Sequence, residues 1–140
     1  GLLPPVKNNP AFFGPQILMD EEDGVLGEET ALLAGAADIG VEEVAGLVAG
    51  LGGVAFPAHI DRPSFSLLGV LGFWDGQLGF PLAEISRHCP PDFQAAHPDL
   101  AGVRLITNSD AHALDQIPDP AHFMEIGRRT PGQVLDWLRG

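Results

Sequence analysis

Val54-Ala55-Phe56-Pro57-Ala58-His59-Ile60-Asp61-Arg62-Pro63 runs from an apolar triplet into a histidine, two charged residues and a second proline. A brief apolar run bounded by turn formers reads as a buried strand. Ahead of it, Ile39, Val41, Val44, Leu47, Val48 and Leu51 recur at helical spacing. Glu42 and Glu43 fall in the first turn of that helix, where its dipole favours anions. Gly52 and Gly53 close it, as C-terminal capping glycines do. Helix, tight turn, strand and polar loop together make half of a repeating β/α unit.

The unit recurs downstream. Residues 67–73 read as a short apolar helix and residues 81–86 as a strand. Residues 91–97 read as a second short helix, with Pro91 at its first position and Asp92 in its first turn. Residues 103–107 form a strand that runs into Asn108-Ser109-Asp110-Ala111-His112, and residues 123–126 suggest a last strand. Thr130 caps a final helix that starts on Pro131 and ends near Leu138, with Val134, Leu135, Trp137 and Leu138 as its core-facing stripe. Strands alternating with helices predict a parallel sheet or part of a barrel.

The N-terminal segment has a different character. Residues 1–14 read as an extended lead-in. The Asp23-Gly24 step between two apolar runs predicts a β-hairpin over residues 15–28. Its tip, Asp20-Glu21-Glu22-Asp23, lacks the ligand spacing of a calcium-binding loop and reads as a solvated turn. With no internal repeat or linker, a single domain over residues 1–140 is expected.

The bulk numbers bound the function. Nineteen acidic residues against seven basic ones give a net charge of −12. Such a surface repels nucleic acid and anionic membrane, so no direct nucleic-acid binding and no membrane association are expected. Hydrophobic residues at 45% and a mean hydropathy of +0.13 allow a core. The lone Cys89 excludes an intramolecular disulfide framework. No uncharged apolar run reaches membrane-spanning length, and a soluble, cytoplasmic protein is the expectation.

Chemistry concentrates at two predicted strand ends. Asp110 and His112, two residues apart in extended chain, project to one side and can share a divalent cation. As a bare pattern this is weak, since an aspartate in a turn beside a solvent-facing histidine looks the same. His59 ends the earlier strand and by itself reads equally well as a satisfied core histidine. Their equivalent places in neighbouring β/α units favour a common site at the C-terminal ends of the strands.

The stretch from Gly53 to Ser66 together with Ser109-Asp110-Ala111-His112 resembles the PHP (polymerase and histidinol phosphatase) family of metal-dependent phosphoesterases. Leu3-Pro4-Pro5-Val6-Lys7-Asn8, Phe13-Gly14-Pro15-Gln16, the acidic hairpin and Ala83-Glu84-Ile85-Ser86 extend the likeness in order along the chain. The resemblance implies a distorted (β/α)7 barrel with two or three divalent metals (zinc, manganese or iron) at its C-terminal rim. It implies His59, Asp110 and His112 as metal ligands. The reaction implied is hydrolysis of phosphate mono- or diesters of a small metabolite or nucleotide. Arg62, beside His59, is the candidate clamp for the substrate phosphate, with an ion pair to Asp61 or another carboxylate as the alternative.

One departure stands out. The family opens with a His-x-His pair, and none of His59, His88, His97, His112 and His122 makes such a pair. The chain is thus expected to match the C-terminal portion of a PHP domain, inactive by itself. A non-catalytic binding or assembly domain is the alternative. A half barrel leaves an open sheet edge, which predicts a homo-oligomer. Glu84 is expected to pair with Arg87, Asn108 and Ser109 to form turns, and His88, His97, His122 and Cys89 to lie outside the site.

Overall fold

The computed structural model describes residues 2–140. The chain divides into two compact units, one up to Gly40 and one from Val41 onward.

In the N-terminal unit, Asn9 caps a single turn of helix, α1 (Pro10–Phe13), by accepting from Ala11 N. Strands β1 (Ile17–Met19) and β2 (Val25–Glu28) pair antiparallel with an irregularity between Leu18 and Met19, as the hairpin reading requires. The acidic tip turns its chemistry on itself. Asp20 Oδ1 accepts from Glu22 N and Gly24 N, and Asp23 takes a left-handed φ of 64°. Gln16 ties the lead-in down by donating to Glu29 O and Ala31 O and accepting from Leu33 N. Among the described residues this unit buries no large apolar side chain, so backbone and amide hydrogen bonds hold it rather than a core.

The C-terminal unit opens with α2 (Val41–Gly50) and continues through α3 (Leu67–Leu71), β3 (Leu82–Ser86), α4 (Phe93–Ala96), β4 (Arg104–Asn108) and α5 (Pro131–Arg139). Thr130 caps α5, with Pro131 in the first turn. Strands β3 and β4 pair in parallel, Leu82 opposite Arg104 through Ser86 opposite Asn108. Side-chain alternation then sorts the two faces. Ala83, Ile85 and Leu105 share one face, and they pack with Ile60, Leu68, Trp74 and Leu100 into the hydrophobic core. Glu84, Ser86, Arg104 and Asn108 share the other face with Leu82 and Ile106, which puts its polar side chains toward the C-terminal ends of the strands, apart from Arg104 at the start of β4.

The structure corrects the expected barrel. Among the described residues there are two sheets of two strands each, and no barrel closes. Two expected strands fail for identifiable reasons. The chain through residues 54–57 does run beside β3, with Pro57 O accepting from Glu84 N at 2.9 Å and Ile60 N donating to Glu84 O at 2.8 Å. A regular parallel ladder leaves one residue between such an acceptor and donor, whereas here both Ala58 and His59 lie between them. That extra residue is a bulge which interrupts the ladder. Residues 123–126 are coil, with Phe123 and Met124 exposed, and they form no ladder with the free edge of β4. The stripe on α5 is only partly buried, so it is less core-facing than its spacing suggested.

Candidate functional site

The bulge that breaks the ladder builds the site. It puts His59 at the turn leaving the 54–57 segment, at φ 36°, where a side chain is sterically strained. Its Nδ1 is buried and has no hydrogen-bond partner. The chain then folds back, with Arg62 N donating to His59 O at 3.0 Å. Ser66 fixes the end of this turn twice over, since its hydroxyl donates to Arg62 O at 2.5 Å and accepts from Gly69 N at 3.0 Å. The second bond is also the N-cap of α3.

Asp61 anchors the same turn to the end of β3. Its Oδ1 accepts from Ser86 N and its Oδ2 from Ser86 Oγ, both at 2.6 Å. Burial pushes this carboxyl up, but the Ser86 hydroxyl and amide, its own amide and the Arg62 charge outweigh that and hold it below the ordinary aspartate range. Burial, with Asp61 and Asp92 nearby, pushes the Cys89 thiol up, so it is a poor nucleophile.

Past the end of β4, Asp110 is also left-handed, at φ 48°. Two groups bracket its carboxylate. Arg62 Nη2 lies 2.7 Å from Oδ2, and His112 Nε2 lies 3.5 Å from Oδ1. The first contact is an ion pair without hydrogen-bond alignment, because Oδ2 is buried yet accepts no hydrogen bond. The second is too long for a hydrogen bond. It does suit a shared cation, since two ligand atoms at tetrahedral positions around zinc lie about 3.4 Å apart.

The predicted residues are thus brought together in part. Arg62, Asp110 and His112 meet at one corner, and Arg62 pairs with Asp110 rather than with Asp61. His59 shares the corner's signs of strain and an orphaned polar atom, yet does not complete a ligand set. Among the described residues no three His, Cys, Asp or Glu side chains converge where a metal ion could sit. The donor set therefore fits two positions of a cation's coordination sphere, not the closed cluster that the resemblance implies.

Sequence reasoning missed the polar face behind this corner. Glu84 is buried and its Oε2 accepts from Asn108 Nδ2 at 3.1 Å, while Arg87 Nε donates to His88 Nε2 instead of pairing with Glu84. Asn108 is the last residue of β4 and not a turn residue. The register of the two strands was the signal, because a polar residue at Glu84 and another near the end of β4 fall on one face only once the strands are paired. His97 stacks on Phe93 with ring centroids 4.6 Å apart, away from the corner. A groove of about 320 Å³ beside β4 is lined by Arg87, Asn108, Ser109 and His122, and a second of about 440 Å³ by Ile106, Phe123 and Trp137 among others. Neither is lined by Asp110, His112 or Arg62; at the corner the His112 side chain is largely exposed and that of Asp110 only partly so.

Across α2 to α5, no helix is long and apolar enough to cross a membrane, and the same holds for all described residues. Comparison with family models, curated proteins and solved structures finds no match to this chain.

Proposed function

We propose that the Arg62, Asp110 and His112 corner handles a phosphate ester in the manner of a PHP-type metal-dependent phosphoesterase. One observation carries the reading. A carboxylate and an imidazole stand 3.5 Å apart at a strand end, with a guanidinium on the carboxylate's other oxygen. The pair supplies donors for a divalent cation, and the guanidinium supplies a fork for a phosphoryl group.

Each side chain has a separate task in this reading. Asp110 Oδ1 and His112 Nε2 hold the cation, which when bound polarises a phosphoryl oxygen and acidifies water. Arg62 orients the phosphoryl group by its planar donors. Asp61 and Ser86 keep the turn that carries Arg62 in place. The groove lined by Arg87, Asn108 and Ser109 has room for the remainder of a small phosphorylated metabolite or nucleotide.

A second reading, binding without turnover, is favoured by a specific observation. No third ligand joins Asp110 and His112 among the described residues. A two-ligand seat holds a cation weakly and positions it loosely, which suits recognition better than catalysis.

Metal content separates these readings from a purely structural corner. The chain is dialysed against zinc and manganese, washed and measured by elemental analysis. About one equivalent retained, and none in the Asp110→Ala/His112→Ala variant, supports the cation seat. Equal retention by both chains, or by neither, rejects it. Hydrolysis of an aryl phosphate by the loaded chain then distinguishes turnover from binding alone.

A further inference from the structure

We propose that a second copy of this chain covers the free edge of β4, the two copies pairing their β4 strands antiparallel about a two-fold axis at Ile106. The inference stands apart from the phosphate-ester reading and needs no bound ion.

The edge is open. β4 pairs with β3 on one side, and among the described residues no backbone hydrogen bond reaches its other side. Alternate residues of Arg104–Asn108 therefore leave N–H and C=O groups pointing outward, a row that templates a further strand. Beside β4 lies the groove of about 440 Å³, lined by Leu105, Ile106, Ala121, Phe123, Met124 and Trp137 among others. Phe123 is 76% exposed there, which is costly for a large aromatic ring left in water.

Charge selects the occupant. The chain carries a net charge of −12, yet no Asp, Glu, Lys or Arg side chain lines this groove. A basic peptide finds no counter-charge in it and an acidic one finds no cation. Uncharged aromatic and methionine side chains are what the centre of a protein–protein interface holds. The two-fold register sets Arg104 opposite Asn108, Leu105 opposite Thr107 and Ile106 opposite its own copy, so no like charges face one another. Arg104 is in any case drawn away to Trp137 O and Leu138 O.

Area points the same way. The chain exposes 9996 Å². A folded monomer of 14.8 kDa exposes about 7,000 Å², and two separately folded units of 40 and 100 residues would together expose about 8,200 Å². The excess over even the larger figure is about 1,800 Å², above the roughly 800 Å² that each partner covers in a standard interface.

Sedimentation equilibrium of the full chain from about 1 μM to 1 mM is the test, a range that brackets transient and stable dimers. The mass is expected to rise to twice the chain mass and no further. Phe123→Asp is expected to weaken the association roughly thirtyfold or more. Phe65→Asp is the control, since that side chain is 93% exposed and does not line the groove, and it should leave the association unchanged. A chain that stays monomeric throughout leaves the edge to some other occupant and overturns the proposal. Growth past the dimer, or an equal response of the two variants, overturns it as well. If Phe123→Asp does not fold, amide hydrogen exchange on the unchanged chain decides. Protection of residues 104–108 that rises with protein concentration supports the pairing, and protection independent of concentration rejects it.

Discussion

Ser86 gives both its backbone N–H and its hydroxyl to the carboxylate of Asp61, at 2.6 Å each. This double bond of turn to strand sets where Arg62 emerges, and it requires an ionised Asp61. Its folded pKa lies below the ordinary value, so its contribution is full above the unfolded pKa and fades as pH falls through the folded one. Asp61→Asn is expected to cost about 1–2 kcal/mol at neutral pH, discounted for the partial solvent access of the site. The variant should also lose less stability than the parent as pH falls below the ordinary aspartate value of about 4. Urea unfolding at neutral pH and below that value checks this, and parallel losses in the two chains would remove Asp61 from the account.

Arg104 closes the far end of α5. Its Nη1 donates to Trp137 O at 2.7 Å and its Nη2 to Leu138 O at 2.6 Å, where the helix presents unpaired carbonyls and a negative dipole end. Its guanidinium also stacks over the Trp137 ring at 4.7 Å from the centroid. Arg104→Met keeps the stem's packing and removes the fork. It is expected to lower stability by about 1–2 kcal/mol and to change the tryptophan emission. Unchanged emission with unchanged melting would mean that the helix end holds itself.

Local signals made some of this structure legible and left the rest hidden. The Asp23-Gly24 step gave the hairpin, and Thr130-Pro131 gave the start of α5, because both are decided within a few residues. The barrel was an expectation of resemblance, and closure depends on pairings between distant strands that no local pattern encodes. The triplet at residues 54–56 has a strand's composition, yet the left-handed His59 behind it ends regular pairing with β3. At the site, the spacing of Asp110 and His112 marked two candidates, but the extended chain assumed for them is absent, since both lie past the end of β4 and Asp110 is left-handed. The pairing of Arg62 with Asp110 was not legible, since any of the acidic residues offered an equally good formal partner until the fold placed one of them.

The turn that bears His59 and Arg62 also depends on a missing side chain. A Cβ at Gly69 would stand 2.8 Å from Pro63 O and 2.9 Å from Ser66 Oγ. The first of these is backbone and cannot step aside, and the second is the cap that holds Arg62 O. Gly69→Ala is expected to destabilise by about 1–3 kcal/mol through this overpacking. Gly76→Ala is the control, because a Cβ there meets nothing within 4 Å. Thermal melts of the two variants should therefore separate clearly, and coincident melts would show that the turn yields without cost.

Asp110 tests whether backbone strain at the corner is real. At φ 48° any side chain is penalised and glycine is not. Asp110→Ala and Asp110→Gly both lose the ion pair to Arg62 and the contact with His112, so comparison of the two isolates the backbone term. Glycine also loosens the unfolded chain, which offsets part of its advantage. The net expectation is that Asp110→Gly melts higher than Asp110→Ala by the equivalent of about 1 kcal/mol. Neither variant should retain manganese. If alanine proves as stable as glycine, Asp110 is not strained, and its left-handed conformation loses its value as a mark of a site that trades stability for function.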